Sequence, residues 1–360
     1  MNPTTVKAMV GNNEITIETG KLAKQADGSV VVSCGNNVVL VTVVSSRRES
    51  TLDFFPLTVE YQERMYAAGK IPGGFFKREG RPSADGILIC RLIDRPLRPK
   101  FPEGYRQETQ VVATVLSSDG TFPLGVLSGI GASTATHISD IPFDGPVGFI
   151  EVGRVDGSFV SNPNEEQKEQ SDMEFFIGAT PEGILMVEGE SKFVSEADVL
   201  SSIKFAHTEL KGLFAAQNEL REKVGKTKRE FSLPEYDADF KQKAEDYLTP
   251  KIKAALAITE KMARYQAVDD AKAEATSALL ADISEDKYDS YKKDLGQIVG
   301  DVKYNVARSM AVDEGKRIDG RDFTTVRPIW TEASVLPRAH GSSVFTRGET
   351  QVLGVVTLGT

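Results

Sequence analysis

Residues 69–101 read GKIPGGFFKREGRPSADGILICRLIDRPLRPKF. The pair Gly73-Gly74 gives a flexible approach to Phe75-Phe76, and Lys77, Arg78 and Arg81 follow. Aromatic faces stack on bases whatever the base, and cations neutralise phosphates. Together on one loop they form a sequence-tolerant grip for a single strand. Beyond the loop, Arg91, Arg95 and Arg98 recur at intervals of four and three. If residues 83–95 are helical, Arg91 and Arg95 share a face. Several guanidiniums facing one way suit phosphate. Pro96 and Pro99 are expected to end that helix. A plainer alternative stands beside this one: Phe75 and Phe76 lie in a core, and the arginines pair with Glu79, Asp85 and Asp94.

The chain around this stretch has three textures. Its 360 residues are too many for one ordinary domain. Up to residue 215 or so, short β-rich runs alternate with helical ones. Residues 14–18 and 29–44 read as strands, the second rich in valine and introduced by an Asp27-Gly28 hairpin turn. Residues 110–116 read as another strand, and the small residues of 131–138 as a helix packed closely on a sheet. Residues 175–178 and 184–187 form a hairpin turned at Pro181-Glu182-Gly183. Residues 196–220 read as one long helix carrying Val199, Ile203, His207, Leu210 and Phe214, with Gly212 weakening its last turns.

Residues 226–295 contain no glycine. Phe240, Ala244, Tyr247, Leu248, Ile252, Ala255, Leu256, Thr259 and Met262 recur at helical spacing there, so an all-helical module follows. Pro250 is expected to start a new helix, and residues 226–234 to be the linker into the module. Strand texture returns at 326–329 and 352–358.

The third texture repeats the first. Residues 26–35 (ADGSVVVSCG) and 339–348 (AHGSSVFTRG) align without a gap. Ala26, Gly28, Ser29, Val31 and Gly35 match Ala339, Gly341, Ser342, Val344 and Gly348. The match continues through Val39, Leu40 and Val43 against Val352, Leu353 and Val356. Two unrelated hairpins with common turn chemistry would also give this match. A true repeat makes residues after 310 the start of a second copy that is truncated, its last strand without partners.

The net charge is −9, so the whole chain carries no basic signature of nucleic-acid binding. The distribution is uneven. Residues 70–100 are basic, whereas 165–198 and much after 230 are acidic, and an acidic protein can hold RNA in a local basic channel. No apolar run reaches the roughly 18 residues of a membrane span, and the first ten residues lack a secretory h-region. No membrane contact and a cytoplasmic location are expected. Cys34 and Cys90 read as small buried residues. His137, His207 and His340 are scattered, which gives a zinc site or hydrolytic triad no support. No Walker or Rossmann glycine pattern sits between a strand and a helix.

FFKREGRPSADGILICRLIDRPLRPKFPEGY (75–105) closely resembles the first-domain loop and helix of bacterial polynucleotide phosphorylases. Asp319-Gly320-Arg321 and LPRAHGSSVFTRGETQ (336–351) resemble the opening of that family's second RNase PH-like domain. The resemblance runs through the chain in order. It implies an α+β architecture: a catalytically degenerate, RNA-gripping RNase PH-like domain over 1–220, an all-helical linker domain over 232–308, and the truncated start of a second RNase PH-like domain over 312–360. It also implies processive 3′-to-5′ phosphorolysis of single-stranded RNA to nucleoside diphosphates. Inorganic phosphate is then the co-substrate and Mg²⁺ the metal, with a homotrimeric ring and partners such as an endoribonuclease and a helicase. The alternative is a catalytically inactive RNase PH-like ring subunit.

Carried onto this sequence, the resemblance assigns Phe75, Phe76, Lys77, Arg78 and Arg81 to a channel constriction. Arg91, Arg95, Arg98, Arg338 and Arg347 are candidates for phosphate or RNA. Lys77 stands where arginine is frequent, which removes the planar fork. The family's serine-rich phosphate loop corresponds to residues 117–124. There Thr121, Phe122 and Pro123 follow Gly120, and the cradle looks lost. Glu166 and Asp172 stand six apart, as the family's metal aspartates do, but read rather as an acidic surface turn. No catalytic residue and no metal ligand is assigned, and the Mg²⁺ ligands are expected beyond residue 360.

Overall fold

In the computed structural model, residues 3–50, 52, 54–231 and 237–359 are described. The chain divides into two compact units, Met1–Pro234 and Glu235–Thr360.

The first unit is built on two sheets. Six strands, β1 (Thr4–Val10), β2 (Asn13–Thr19), β3 (Gly28–Cys34), β4 (Asn37–Glu49), β5 (Leu57–Glu63) and β6 (Gln107–Ser117), lie in the order β1-β2-β3-β4-β6-β5. All neighbours are antiparallel except β5 and β6. In β3 and β4, buried residues alternate with half-buried ones, which fixes the face each valine takes. Residues 29–44 are thus two strands turned at Gly35-Asn36. Asp27-Gly28 is not a hairpin turn. Gly28 opens β3, and the Asp27 carboxylate accepts from the Ser45 amide at 2.7 Å.

The second sheet has the order β10-β9-β7-β8, from β7 (Gly148–Val155), β8 (Ser158–Ser161), β9 (Met173–Thr180) and β10 (Gly183–Ser191). Between the sheets runs α2 (Leu124–Ile138), buried along every residue from Gly125 onward and packed on β3, β4 and β7. A helix apolar or small all round belongs in such an interior. Helix α1 (Ala84–Leu97) flanks it, and the short α3 (Glu165–Gln170) lies against β7.

The expected long helix is two: α4 (Glu196–Glu209) and α5 (Lys211–Val224). The break falls at buried Leu210, where a Cβ on Gly148 would come within 3.0 Å of its side chain. Gly212 lies in the first turn of α5, and a Cβ there would stand 3.3 Å from the Met9 carbonyl oxygen. The glycine lets α5 approach β1.

Residues 226–231, expected as linker, lie on the first unit; residues 232–234 fall outside the described residues. The Lys228 ammonium donates to the carbonyls of Thr136, His137 and Ser139 at 2.9, 3.0 and 2.9 Å. It thereby caps the C-terminus of α2, where carbonyls lack helical partners. Arg229 bonds Asp140, and Phe231 packs edge-on against Tyr105.

His137 is a pH-sensitive element of this unit. Its Nε2–H donates to the Asn218 Oδ1 at 3.0 Å, and its Nδ1 is buried without a partner. Burial, opposed by the Asn218 bond and aided by nearby Arg221 and Lys228, pushes its pKa down to about 4. The unfolded chain binds this proton near pH 6.5 and the folded chain only near 4. Its contribution is therefore complete above 6.5 and is lost as pH falls towards 4. Urea unfolding at pH 7 and pH 4.5 is expected to differ by up to about 3 kcal/mol from this group. His137→Asn should flatten that part of the pH dependence; an unchanged slope would show that His137 does not titrate in this way.

The second unit opens with three packed helices, α6 (Ala238–Leu256), α7 (Lys261–Leu279) and α8 (Glu285–Val312). Phe240, Ala244, Leu248, Ile252, Ala255 and Leu256 form the buried stripe of α6. Pro250 does not start a helix but lies inside α6. Its ring removes the amide that would have bonded the Asp246 carbonyl, and it is tolerated because Leu248 and Ile252 on either side of it are buried in the helical core. The helix ends at Leu256, so Thr259 lies in a loop, and Met262, in α7, is exposed.

Three further strands follow: β11 (Ile329–Ala333), β12 (Gly341–Arg347) and β13 (Thr350–Val356), in the order β11-β12-β13. Residues 326–328 precede the first of them. In the early hairpin Gly28 pairs with Val43 and Cys34 with Asn37; in the late one Gly341 pairs with Val356 and Arg347 with Thr350. Each pair is displaced by 313 residues, and both turns carry a left-handed glycine, Gly35 and Gly348. Even the third strand recurs, since β2 and β11 pair antiparallel with β3 and β12. Shared turn chemistry alone does not dictate a third strand. The two copies differ in cover: Val39 and Val43 are fully buried, whereas Val352 and Val356 are 58% and 54% exposed.

Candidate nucleic-acid interface

Residues 64–83 connect β5 to α1 along the rim of the first unit. A 3₁₀ turn (Met65–Ala68) ends at Gly69, whose φ of 67° is left-handed. At the far end the Ser83 hydroxyl accepts the Gly86 amide at 3.0 Å and starts α1. Glu79 closes the base of the loop by accepting the Met65 amide at 3.0 Å.

The tip is formed by Phe75 and Phe76, flanked by left-handed Gly74 and Lys77. The two rings meet edge to face at 5.4 Å and are 93% and 78% exposed. Neither belongs to a core. Lys77, Arg78 and Arg81 are exposed beside them, and none has an ion-pair partner among the described residues. Arg78 and Arg81 line a cavity of about 450 Å³ together with Arg64, Tyr61 and Ser83. Arg64, which the sequence reading did not single out, adds a third guanidinium and is steadied by Gln62 at 2.6 Å.

The arginines of α1 do not join into one anion site. Arg91 is exposed. Arg95 is ion-paired with Glu188 of β10. Arg98 is chelated by Asp94 at 2.6 and 3.0 Å and donates to the carbonyls of Phe55 and Leu57. It also lies over the Phe55 ring, and so fastens α1 to the start of β5. Arg338 and Arg347 are exposed in the second unit, Arg347 at the end of β12.

The loop of residues 117–124 is closed by its own carboxylate. Phe122 is buried and Pro123 precedes α2. Asp119 accepts the Thr121 hydroxyl at 2.6 Å, the Thr121 amide at 3.0 Å and the Asn37 amide at 2.7 Å. Those bonds hold Asp119 ionised, with its pKa down to about 2. Both Thr121 donors are thus taken, and the Asp119 charge disfavours an anion beside them. Asp119 was unremarked in the sequence; the donor-starved residues after Gly120 were the only signal.

Glu166 and Asp172 do not form a metal pair. Glu166 is exposed on α3, while Asp172 is held by Arg154 at 2.6–3.2 Å. The nearby carboxylates Glu151 and Glu174 already share the Lys168 ammonium, at 2.8 and 3.4 Å. Among the described residues no group of three acidic, histidine or cysteine side chains is placed to hold a metal. These residues do not fit a divalent ion.

Three family models match the chain. Domain 1 of the 3′ exoribonuclease family covers residues 12–142, and domain 2 of that family covers 145–209. The two-sheet unit is thus of the class these domains define. The RNA-binding domain of polyribonucleotide nucleotidyltransferase matches residues 239–322. The polyribonucleotide nucleotidyltransferase of Bdellovibrio bacteriovorus is 62% identical over 99% of this chain and 52% of its own length. That of Trichlorobacter lovleyi is 50% identical over the whole of this chain and 50% of its own length. The chain belongs to the polyribonucleotide nucleotidyltransferase family. It spans about half the length of the curated relatives it matches. A crystal structure of rice Rrp46 overlays on 62% of this chain and 98% of its own, at 14% identity and a TM-score of 0.48.

Proposed function

We propose that this chain supplies the RNA-gripping and scaffolding part of a phosphorolytic 3′-to-5′ exoribonuclease. In that enzyme inorganic phosphate attacks the terminal phosphodiester of single-stranded RNA and releases nucleoside diphosphates, reversibly. The observation that carries the reading is the exposed Phe75–Phe76 pair with unpaired Lys77, Arg78 and Arg81 beside it. Solvent-exposed adjacent aromatics stabilise nothing in the free protein and suit stacking on bases. The match of the helical module to a domain described as RNA-binding supports a second RNA contact in residues 239–322.

Catalysis is assigned elsewhere than to the first unit. Thr121 of its phosphate loop is bonded to Asp119, and of its acidic candidates Asp172 is paired with Arg154 while Glu166 stands exposed on α3. Mg²⁺, a homotrimeric ring, a cytoplasmic location and partnership with an endoribonuclease and a helicase complete the reading. Each of these is what the family resemblance implies.

The test is binding of poly(A) beside phosphate-dependent release of nucleoside diphosphate with Mg²⁺, both on the 360-residue chain. Binding without release is expected. Release above background, lost on Asp172→Asn, would overturn the assignment of an inert first unit. Phe75→Ala with Arg78→Ala is expected to weaken binding by roughly 10- to 100-fold, from one lost stack and one lost phosphate contact. The melting temperature should stay put, since both side chains stand in solvent; a large drop would make the loop structural instead.

A further inference from the structure

One carboxylate, Glu79, stands among the cations of the Phe75 loop, next to Arg78 and just before Arg81. It lines the same cavity as Arg64, Arg78 and Arg81. In a grip for a polyanion a negative charge there is a cost, since it repels the phosphates that the guanidiniums attract. Nor does it neutralise those neighbours. Among the described residues Glu79 forms no ion pair. Instead it reaches back across the base of the loop to the Met65 amide, at 3.0 Å.

That amide is the first of the 3₁₀ turn, and Arg64 before it offers no side-chain acceptor. Glu79 thus meets a donor that the turn leaves orphaned. The turn is itself fixed to the first unit, since the Ser118 amide donates to the Ala67 carbonyl at 2.9 Å. Among the described residues, no other hydrogen bond or ion pair ties residues 71–82 to the rest of the chain. A Cβ at Gly73, Gly74 or Gly80 would meet nothing within 4 Å, so the backbone stands clear on both limbs. Yet Lys77 keeps a left-handed φ of 50°, a conformation that a lysine holds only when its surroundings impose it.

We infer that Glu79 is a positioning residue for RNA capture. Its bond to the Met65 amide holds the descending limb of the loop, so that Phe75, Phe76 and Arg78 meet RNA already arranged. Preorganisation of this kind raises affinity by removing an ordering cost that binding otherwise bears. The inference rests on the proposed reading of the loop as an RNA grip.

The test compares Glu79→Gln with Glu79→Ala in the 360-residue chain. Its readouts are poly(A) affinity and hydrogen exchange at the Met65 amide. Both substitutions remove the charge, but only glutamine keeps an acceptor oxygen at the same reach. Lost repulsion by itself would make both variants bind poly(A) more tightly than the native chain, and equally. The clamp separates them. Glu79→Gln is expected to bind at least as tightly as the native chain, and Glu79→Ala about threefold or more weaker than Glu79→Gln. The Met65 amide should exchange faster in Glu79→Ala alone. Their melting temperatures are expected to coincide, because the loop lies outside the core. Equal poly(A) affinities of the two variants, or a fall in melting temperature confined to Glu79→Ala, would overturn the inference. Phe75→Ala with Arg78→Ala tells that failure from failure of the grip. If this double variant weakens RNA binding while Glu79→Ala matches Glu79→Gln, the loop grips RNA without the clamp. If the double variant binds RNA as the native chain does, the grip itself falls and the inference with it.

Discussion

Arg229→Ala is expected to destabilise the first unit by about 3–5 kcal/mol. The guanidinium is 9% exposed and reaches Asp140 at 2.6 Å and Asp27 at 3.3 Å. It also donates to the Ser45 carbonyl at 3.2 Å. Both carboxylates are largely buried, at 16% and 19% exposure. Truncating the arginine strands negative charge in a poorly solvated place, which costs more than the pair itself is worth. Arg47 also bonds Asp140 and Asp27, at 2.8 and 3.3 Å, and would soften the loss towards the lower figure. The measurement is urea unfolding followed by far-UV circular dichroism, with Asp140→Asn and the double variant completing a cycle. A strong coupling between the two positions is expected. A loss below about 1 kcal/mol would mean that residues 226–231 contribute little to the unit, as a true linker would.

The strap shows where reading the sequence reached its limit. Residues 226–234 look like linker because Lys226, Lys228 and Arg229 are charged, and charge suggests solvent. Whether a lysine is solvated or caps a buried helix end depends on what lies nearby in space. Lys228 meets α2, whose C-terminus is some 90 residues earlier in the chain. The same rule governs the arginines. Arg95 and Arg98 are a periodic pair in sequence, and only the fold brings Glu188 to one and the carbonyls of Phe55 and Leu57 to the other.

What was legible is what local physics decides. Alternating valines fix the faces of β3 and β4, small residues mark α2, and the repeat foretold the second hairpin. The helix break at Leu210 and the continuation of α6 through Pro250 were not legible, because tertiary packing overrides propensity at both. The loop composition named Phe75 and Phe76 but could not choose between core and solvent. Glu79 reads as an ion-pair partner for its neighbouring arginines, and only the fold shows it spent on the Met65 amide.

Gly28→Ala is expected to cost about 3 kcal/mol or more, the upper range for overpacking. An added Cβ would stand 2.1 Å from the Ala135 carbonyl oxygen and 2.9 Å from its carbon. The obstacle is helix backbone, which no rotamer change moves. Helix α2 itself has no room to retreat, being buried between two sheets along its length. Gly131 faces a gentler obstacle, the Val41 side chain at 2.4 Å, and Gly131→Ala should cost less than Gly28→Ala. The repeat supplies the control. Gly341 holds the same register position in the second hairpin, yet the nearest atom to its Cβ would be that of Val356, at an ordinary 3.6 Å. Gly341→Ala is expected to change stability by less than about 1 kcal/mol. Equal effects at the two positions would mean that Gly28 serves strand geometry, common to both hairpins. A large effect at Gly28 alone ties the glycine to helix cover: the first hairpin bears a helix on the face that the second leaves in solvent.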